Sequence, residues 1–452
     1  MATINKGRLF NASCIALTVT AMTFAIRAGI LSQLGVDFKL TDTELGWVNA
    51  MAFLGFPIAT MIGGPLYNAV GPRKIMWVAF ITHLLGLIMT IFAGGFWTLL
   101  ISTFFIGFAN GSVEAACNPM IANMFDGNKT TMLNKFHVWF PGGIVIGALV
   151  SALMTNLGLG WQLQIAIMLI PTLIYAWMIF GQQFPEEPES EAIDFKKLFP
   201  PIYLTIVFGL VLIAASDLTL QQWFPGEAST YLKYGLIVLV AGLIYQYFGL
   251  LYSILALCMT LTATAELGTQ QWVEKILGNS GAHPMLILAM ITGLMAVGRY
   301  FGGPLIHKFK PIGVLFGSAV VATLGIGLMS VATGGMVYFA AVLFAIGVMY
   351  FWPTMIGFVS EYLPKTGALG MSLVGGAGML ATGMWNPVIG SWLDEEKQIA
   401  LSSGVAEDAA EVIAGQAALG NMVYFPLALV VLFGILFAFR NKLEANRVSQ
   451  SV

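Results

Sequence analysis

Apolar stretches of about 20 residues, the length an α-helix needs to cross a hydrocarbon layer roughly 30 Å thick, recur from Leu9 almost to the C-terminus of this chain. Where no water is present, every backbone N–H and C=O must find a partner within the chain, so such stretches are read as helices. Composition agrees: of 452 residues, 58% are hydrophobic and 9% charged, against roughly 25% charged in an ordinary soluble domain. The sequence therefore reads as an all-α integral membrane protein. The 51 Gly and 18 Pro suit a membrane bundle, where small residues let helices approach and prolines mark bends.

Long apolar windows between polar breaks predict six spans, near 9–34, 45–67, 75–95, 97–124, 136–157 and 161–183. A polar segment from Gln182 to Lys197 follows, then two shorter apolar segments near 199–216 and 232–249. Six more spans are expected near 250–276, 284–306, 312–333, 336–361, 368–392 and 419–439, for a total of fourteen. An acidic stretch, 394–418, reads as a loop. The expected organisation is a six-helix bundle over 1–184, a linker with an extra membrane hairpin over 185–249, and a second six-helix bundle over 250–452.

With the N-terminus placed in the cytoplasm, fourteen basic residues fall inside and only Lys39, Lys233, Lys275 and Lys397 outside, the bias of the positive-inside rule. Both termini are thus expected in the cytoplasm, with the chain spanning the cell's inner (plasma) membrane many times. Lys6 and Arg8 precede an apolar stretch longer than a signal-peptide core, with no small-residue cleavage pattern after it, so the first span is expected to stay.

The two halves share landmarks. Gly63-Gly64-Pro65-Leu66 recurs as Gly302-Gly303-Pro304-Leu305, 239 residues later. Asn118-Pro119 matches Trp352-Pro353 at an offset of 234, and Gly142-Gly143 matches Gly375-Gly376 at 233. A similar offset in the same order argues for a duplicated unit. Parallel six-helix repeats with a solute site between them form a known transporter architecture.

Gly64 to Lys74, GPLYNAVGPRK, resembles the loop signature of the major facilitator superfamily after its second span. The resemblance implies that fold and a cytoplasmic gate built from Gly64, Asn68, Gly71, Arg73 and Lys74. The superfamily usually has Asp where Asn68 stands, so a charge-based latch is not implied there. Val113 to Pro119, VEAACNP, followed by Leu133-Asn134, resembles the fucose permease family of sugar-proton symporters. That resemblance implies proton coupling at Glu114. His137 and Phe140 occupy fifth-span positions where that family has polar amides.

Ionisable groups inside spans are costly and usually face a cavity or a partner. By depth, Arg27 lies in the outer half of the first span and Glu114 in the inner half of the fourth, within reach of each other through the long Arg stem. They read either as a proton switch or as a fixed structural pair. In the seventh core span, Glu266, Gln270 and Trp272 are spaced to project together over two turns, and with Gln271 they suit a sugar site. The Gln and Trp side chains also suit an interfacial position. Arg299 reads as a solute ligand or a structural cation. Asn118 and Asn386, each beside a proline, read as solute ligands or as repair for the broken helix ladder. His137 reads as a ligand or a packing hydrogen bond, and His83 likewise.

Several classes are excluded. Net charge is −2, with no basic surface or motif for nucleic acid. Cys14, Cys117 and Cys258 lack the spacing of a disulfide or zinc site. No metal or cofactor signature is visible, no phosphate loop for ATP, and no nucleophile with its base, so an enzyme is not expected. The expected function is proton-coupled symport of a sugar or related small polar solute by a monomer in the lipid bilayer. The alternatives are transport of an organic anion or sugar acid, and a non-transporting ligand sensor of the same fold.

Overall fold

The computed structural model describes residues 4–125, 129–185, 199–217, 226–278 and 280–450. Its elements are helical throughout these residues. The chain opens with α1 (Lys6–Phe38), α2 (Asp42–Val70), α3 (Pro72–Ile91) and α4 (Phe96–Met124). The next crossing is split into α5 (Lys129–His137) and α6 (Trp139–Asn156), and the one after it into α7 (Trp161–Ala166) and α8 (Leu169–Ile179). Both splits have the same cause. Pro141 and Pro171 carry no N–H for the carbonyls of His137 and Ile167, four residues earlier, and the helices break there.

After α9 (Pro201–Ala214) and α10 (Glu227–Phe248) comes α11 (Leu250–Ala263). It continues through a π-helical turn, Thr264–Gly268, into α12 (Thr269–Gln271) and α13 (Val273–Leu277). Then follow α14 (Pro284–Phe301), α15 (Gly303–Met329), α16 (Met336–Val348), α17 (Phe351–Tyr362), α18 (Gly367–Ser402), α19 (Glu407–Met422), α20 (Tyr424–Ala438) and α21 (Arg440–Gln450).

Among the described residues, twelve helical stretches are long and apolar enough to cross a membrane. They include Glu227–Phe248 but neither Pro201–Ala214, 14 residues long, nor Gly367–Ser402. At 1.5 Å per residue α9 reaches roughly 21 Å, short of a full crossing. The expected acidic loop over 394–418 is corrected: α18 runs to Ser402 and α19 begins at Glu407. Lys397 ties the two together through Glu411 at 2.8 Å and Glu407 at 3.2 Å. Burial alone would draw Lys397 down, but the two carboxylates outweigh it and hold its ammonium above the usual lysine range.

The repeat extends into the backbone. Gly71, between α2 and α3, has φ 82° and ψ 153°, and Lys310, 239 residues later and likewise followed by proline, has φ 61° and ψ 159°. The same bend recurs, with lysine where the first half has glycine. Pro65 inside α2 and Pro353 in the α16–α17 stretch also leave carbonyls to be satisfied from elsewhere. Pro65 leaves the Met61 carbonyl, which accepts from the Tyr203 hydroxyl of α9 at 3.3 Å. Pro353 leaves the Met349 carbonyl, which accepts from Arg299 Nε at 2.7 Å.

Helices before α9 meet those after α10 along α2 and α18, α1 and α12–α13, and α6 and α14. At the end of the bundle where α1 finishes and α2 begins, the approach is backbone to backbone. A Cβ on Gly46 would meet Asn386 and Pro387 of α18, and one on Gly390 would meet the Asp42 carbonyl. Small residues at these crossings are what allow the contact.

Candidate functional site

Three polar clusters sit in otherwise apolar surroundings. The first lies between the halves. Arg27 of α1, 5% exposed, donates from Nε to Asn49 Oδ1 on α2 at 2.9 Å and from a terminal nitrogen to Gln271 Oε1 on α12 at 2.9 Å. Its guanidinium stands over the Phe24 ring at 5.2 Å, and Gln271 donates back to the Phe24 carbonyl at 3.4 Å. Phe24 in turn belongs to an apolar cluster in which Phe53 and Phe56 meet Leu267 and Met379, with Phe140 and Trp352 packed on it.

The second cluster is in the C-terminal half. Glu266 lies inside the π-helical turn, a local irregularity that recurs at functional sites. One carboxylate oxygen pairs with Arg299 at 3.1 Å, while the other, Oε2, is buried without a hydrogen-bond partner among the described residues. Gln270, also buried, donates to the Met295 sulfur at 3.5 Å.

The third cluster links α4 to α5. Asn118 donates to Glu114 Oε2 at 2.6 Å, and Asn118 Oδ1 pairs with His137 Nε2 at 2.9 Å. The His137 ring is exposed, and Glu114 is half-buried. Because the Asn118 amide nitrogen is spent on Glu114, its oxygen accepts and His137 Nε2 is the donor.

The expected approach of Arg27 to Glu114 is corrected. Arg27 donates to Asn49 and Gln271, and Glu114 is held by the neutral Asn118. Asn118 bonds side chains on either side of it rather than repairing the backbone at Pro119. Trp272 is fully buried and donates from its indole nitrogen to Asn386 Oδ1 at 2.9 Å. The Asn386 amide also reaches the Thr382 carbonyl at 2.8 Å. His83 is likewise internal, bonded to Tyr175 at 3.0 Å and Asn110 at 2.8 Å. Of the gate residues, Gly64 lies within α2, Gly71 forms the bend, and Arg73 and Lys74 are exposed at the start of α3. The side chain of Asn68 lies outside the described residues.

Sequence reading missed a latch at the α1–α2 end. Glu274 on α13 accepts from the Ser32 hydroxyl at 2.7 Å, Lys275 pairs with Asp42 at 2.8 Å, and Asp394 binds the start of α2. Thr41-x-x-Glu44, a capping box realised at that same helix start, was the available signal. Asn49, an amide inside an apolar window, was another. Among the described residues, no group of His, Cys, Asp or Glu is arranged to hold a metal. The polar groups on offer are neutral amides, a guanidinium that forms no ion pair among the described residues, and a half-paired carboxylate.

The family profile of the Major Facilitator Superfamily matches residues 13–386. The chain is 25% identical over 162 residues to a D-xylose transporter of Levilactobacillus brevis, covering 36% of this chain and 35% of that one. It is 26% identical over 160 residues to a hexuronate transporter of Bacillus subtilis (strain 168), covering 34% and 37%. The aligned region thus spans about a third of the length of these curated relatives. Among solved structures, a D-xylose-proton symporter superposes with a TM-score of 0.65 at 14% identity, over 92% of this chain and 97% of that one. The nucleoside transporter NupG gives 0.64 at 12% identity, over 95% and 98%. Both likenesses concern the fold.

Proposed function

Because the chain belongs to the Major Facilitator Superfamily, we propose that it is a secondary transporter that moves a sugar or related small polar solute together with protons, by alternating access between two six-helix halves. The xylose and hexuronate transporters among its relatives support the solute class. The observation that carries proton coupling is the third cluster. Glu114 is held by the neutral Asn118, with exposed His137 on its far side. With an amide in place of a cation, that carboxylate has no ion pair among the described residues that a coupling step would have to break.

On this reading the halves are 1–184 and 250–452, and the segment between them adds a hairpin, α9 and α10, that brings the membrane-embedded helices to fourteen. Tyr203 would anchor that hairpin on α2. Both termini face the cytoplasm of a monomer in the plasma membrane, so the latched α1–α2 end faces outward and Glu114 and His137 lie toward the cytoplasm.

The test uses right-side-out vesicles with an imposed pH gradient and radiolabelled D-xylose. Glu114→Gln is expected to retain exchange but lose uphill accumulation. Accumulation equal to that of the natural protein would remove Glu114 from the coupling role.

A further inference from the structure

Arg27 is a buried cation without a counter-charge. Its contacts are two amide oxygens and an aromatic face, and among the described residues no carboxylate forms an ion pair with it. Arg299 differs, being paired with Glu266 at 3.1 Å. An ionised guanidinium held only by neutral partners in an apolar surround is costly, and that cost is relieved by any carboxylate that can reach it.

The partner in the way is Gln271, which lies in the other half of the molecule, 244 residues along the chain. Its bond to Arg27 therefore lasts only while the halves are closed at this end. When they part, Gln271 leaves with α12 and Arg27 stays with α1, losing a hydrogen bond and gaining access to solvent. A second donor waits beside it: Asn49 is fully buried, its Oδ1 is taken by Arg27, and its Nδ2 has no partner.

We propose that the carboxylate of an anionic sugar takes the place of Gln271 Oε1 on Arg27, so that this transporter selects sugar acids over neutral sugars. The amide oxygen of Gln271 is an uncharged stand-in for a carboxylate oxygen. The carboxylate makes the same hydrogen bond, strengthens it by charge, and supplies the missing counter-charge. A neutral sugar offers hydroxyls to the same donors but leaves the guanidinium uncompensated. Closing the halves then exchanges a solute carboxylate for Gln271, which resets the empty site. The inference rests on the transporter reading above and names the substrate class of that site.

The test compares D-glucuronate with D-glucose on the full-length protein in lipid nanodiscs, by titration calorimetry and by ligand-induced thermal shift. In the natural sequence glucuronate should bind at least about tenfold more tightly, the scale of one charge-assisted hydrogen bond. Gln271→Glu places a permanent carboxylate against Arg27, so the glucuronate-to-glucose ratio should fall to about one while the ligand-free protein melts at an equal or higher temperature. Arg27→Gln should lower the ratio as well. Equal binding of the two sugars by the natural protein, or an undiminished ratio in Gln271→Glu, overturns the inference and leaves the transporter reading in place if glucose is bound and carried. Binding of neither sugar overturns the inference, while D-xylose accumulation in the vesicle test decides the transporter reading separately.

Discussion

Asp394 caps a helix in the opposite half of the molecule: its Oδ2 accepts from the Thr43 N–H at 2.8 Å and from the Thr43 hydroxyl at 2.6 Å, and its Oδ1 from the Asp42 N–H at 3.0 Å. The first N–H groups of a helix have no partner within it, and a carboxylate there meets both the hydrogen-bonding need and the positive end of the helix dipole. Supplying that cap from α18 makes the start of α2 complete only while α18 is packed against it.

Replacing Asp394 with Ala should weaken this closure by about 1–2 kcal/mol, the scale of a lost N-cap. Spin labels at the exposed positions Val36 and Ser403 would report it as a larger population at long distance. An unchanged distance distribution would show that the cap does not hold the halves together.

Gly390→Ala introduces a Cβ that meets the Asp42 carbonyl and the Thr43 nitrogen, both backbone and unable to rotate away. Crowding of this kind costs about 1–3 kcal/mol, and here it falls on the closed arrangement. The same label pair should shift toward the open population. Gly420→Ala, where a Cβ meets nothing within 4 Å, serves as the control and should melt at or above the original temperature.

Lys310 occupies a backbone region that is essentially reserved for glycine, at φ 61° and ψ 159°. Lys310→Gly should raise stability by about 1 kcal/mol, read as a higher unfolding temperature in detergent. Gly71→Ala, at the matching bend in the first half, should lower it by a similar amount. A fall in melting temperature for Lys310→Gly would mean that the lysine side chain contributes more than its backbone costs.

Tyr203→Phe keeps the ring but removes the donor to the Met61 carbonyl that Pro65 leaves open. A loss of about 0.5–1.5 kcal/mol is expected, seen as a lower unfolding temperature. Equal stability of the two proteins would indicate that another donor reaches that carbonyl.

The spans and the duplicated landmarks were legible because hydropathy and breaker residues act locally, over one or two helical turns. Leu9 to Leu34 reads as a helix whatever surrounds it, and the proline after Gly71 marks a bend within a few residues. The same local logic placed Arg27, Glu114, Glu266 and Arg299 inside spans and marked them for their cost. The acidic 394–418 stretch was misread because charge suggested a solvated loop, whereas its charges are satisfied by α2, Glu407 and Glu411.

By itself the sequence determined that this chain lies in a membrane as apolar helices, and that its second half repeats landmarks of the first. Only the tertiary structure decided the partners: Arg27 with Gln271 instead of Glu114, Asp394 with Thr43, Arg299 with both Glu266 and a proline-freed carbonyl. The reason is physical. A helix is closed by bonds four residues apart, while the partner of a buried polar group depends on how helices hundreds of residues apart are rotated and crossed, and no local period in the sequence encodes that.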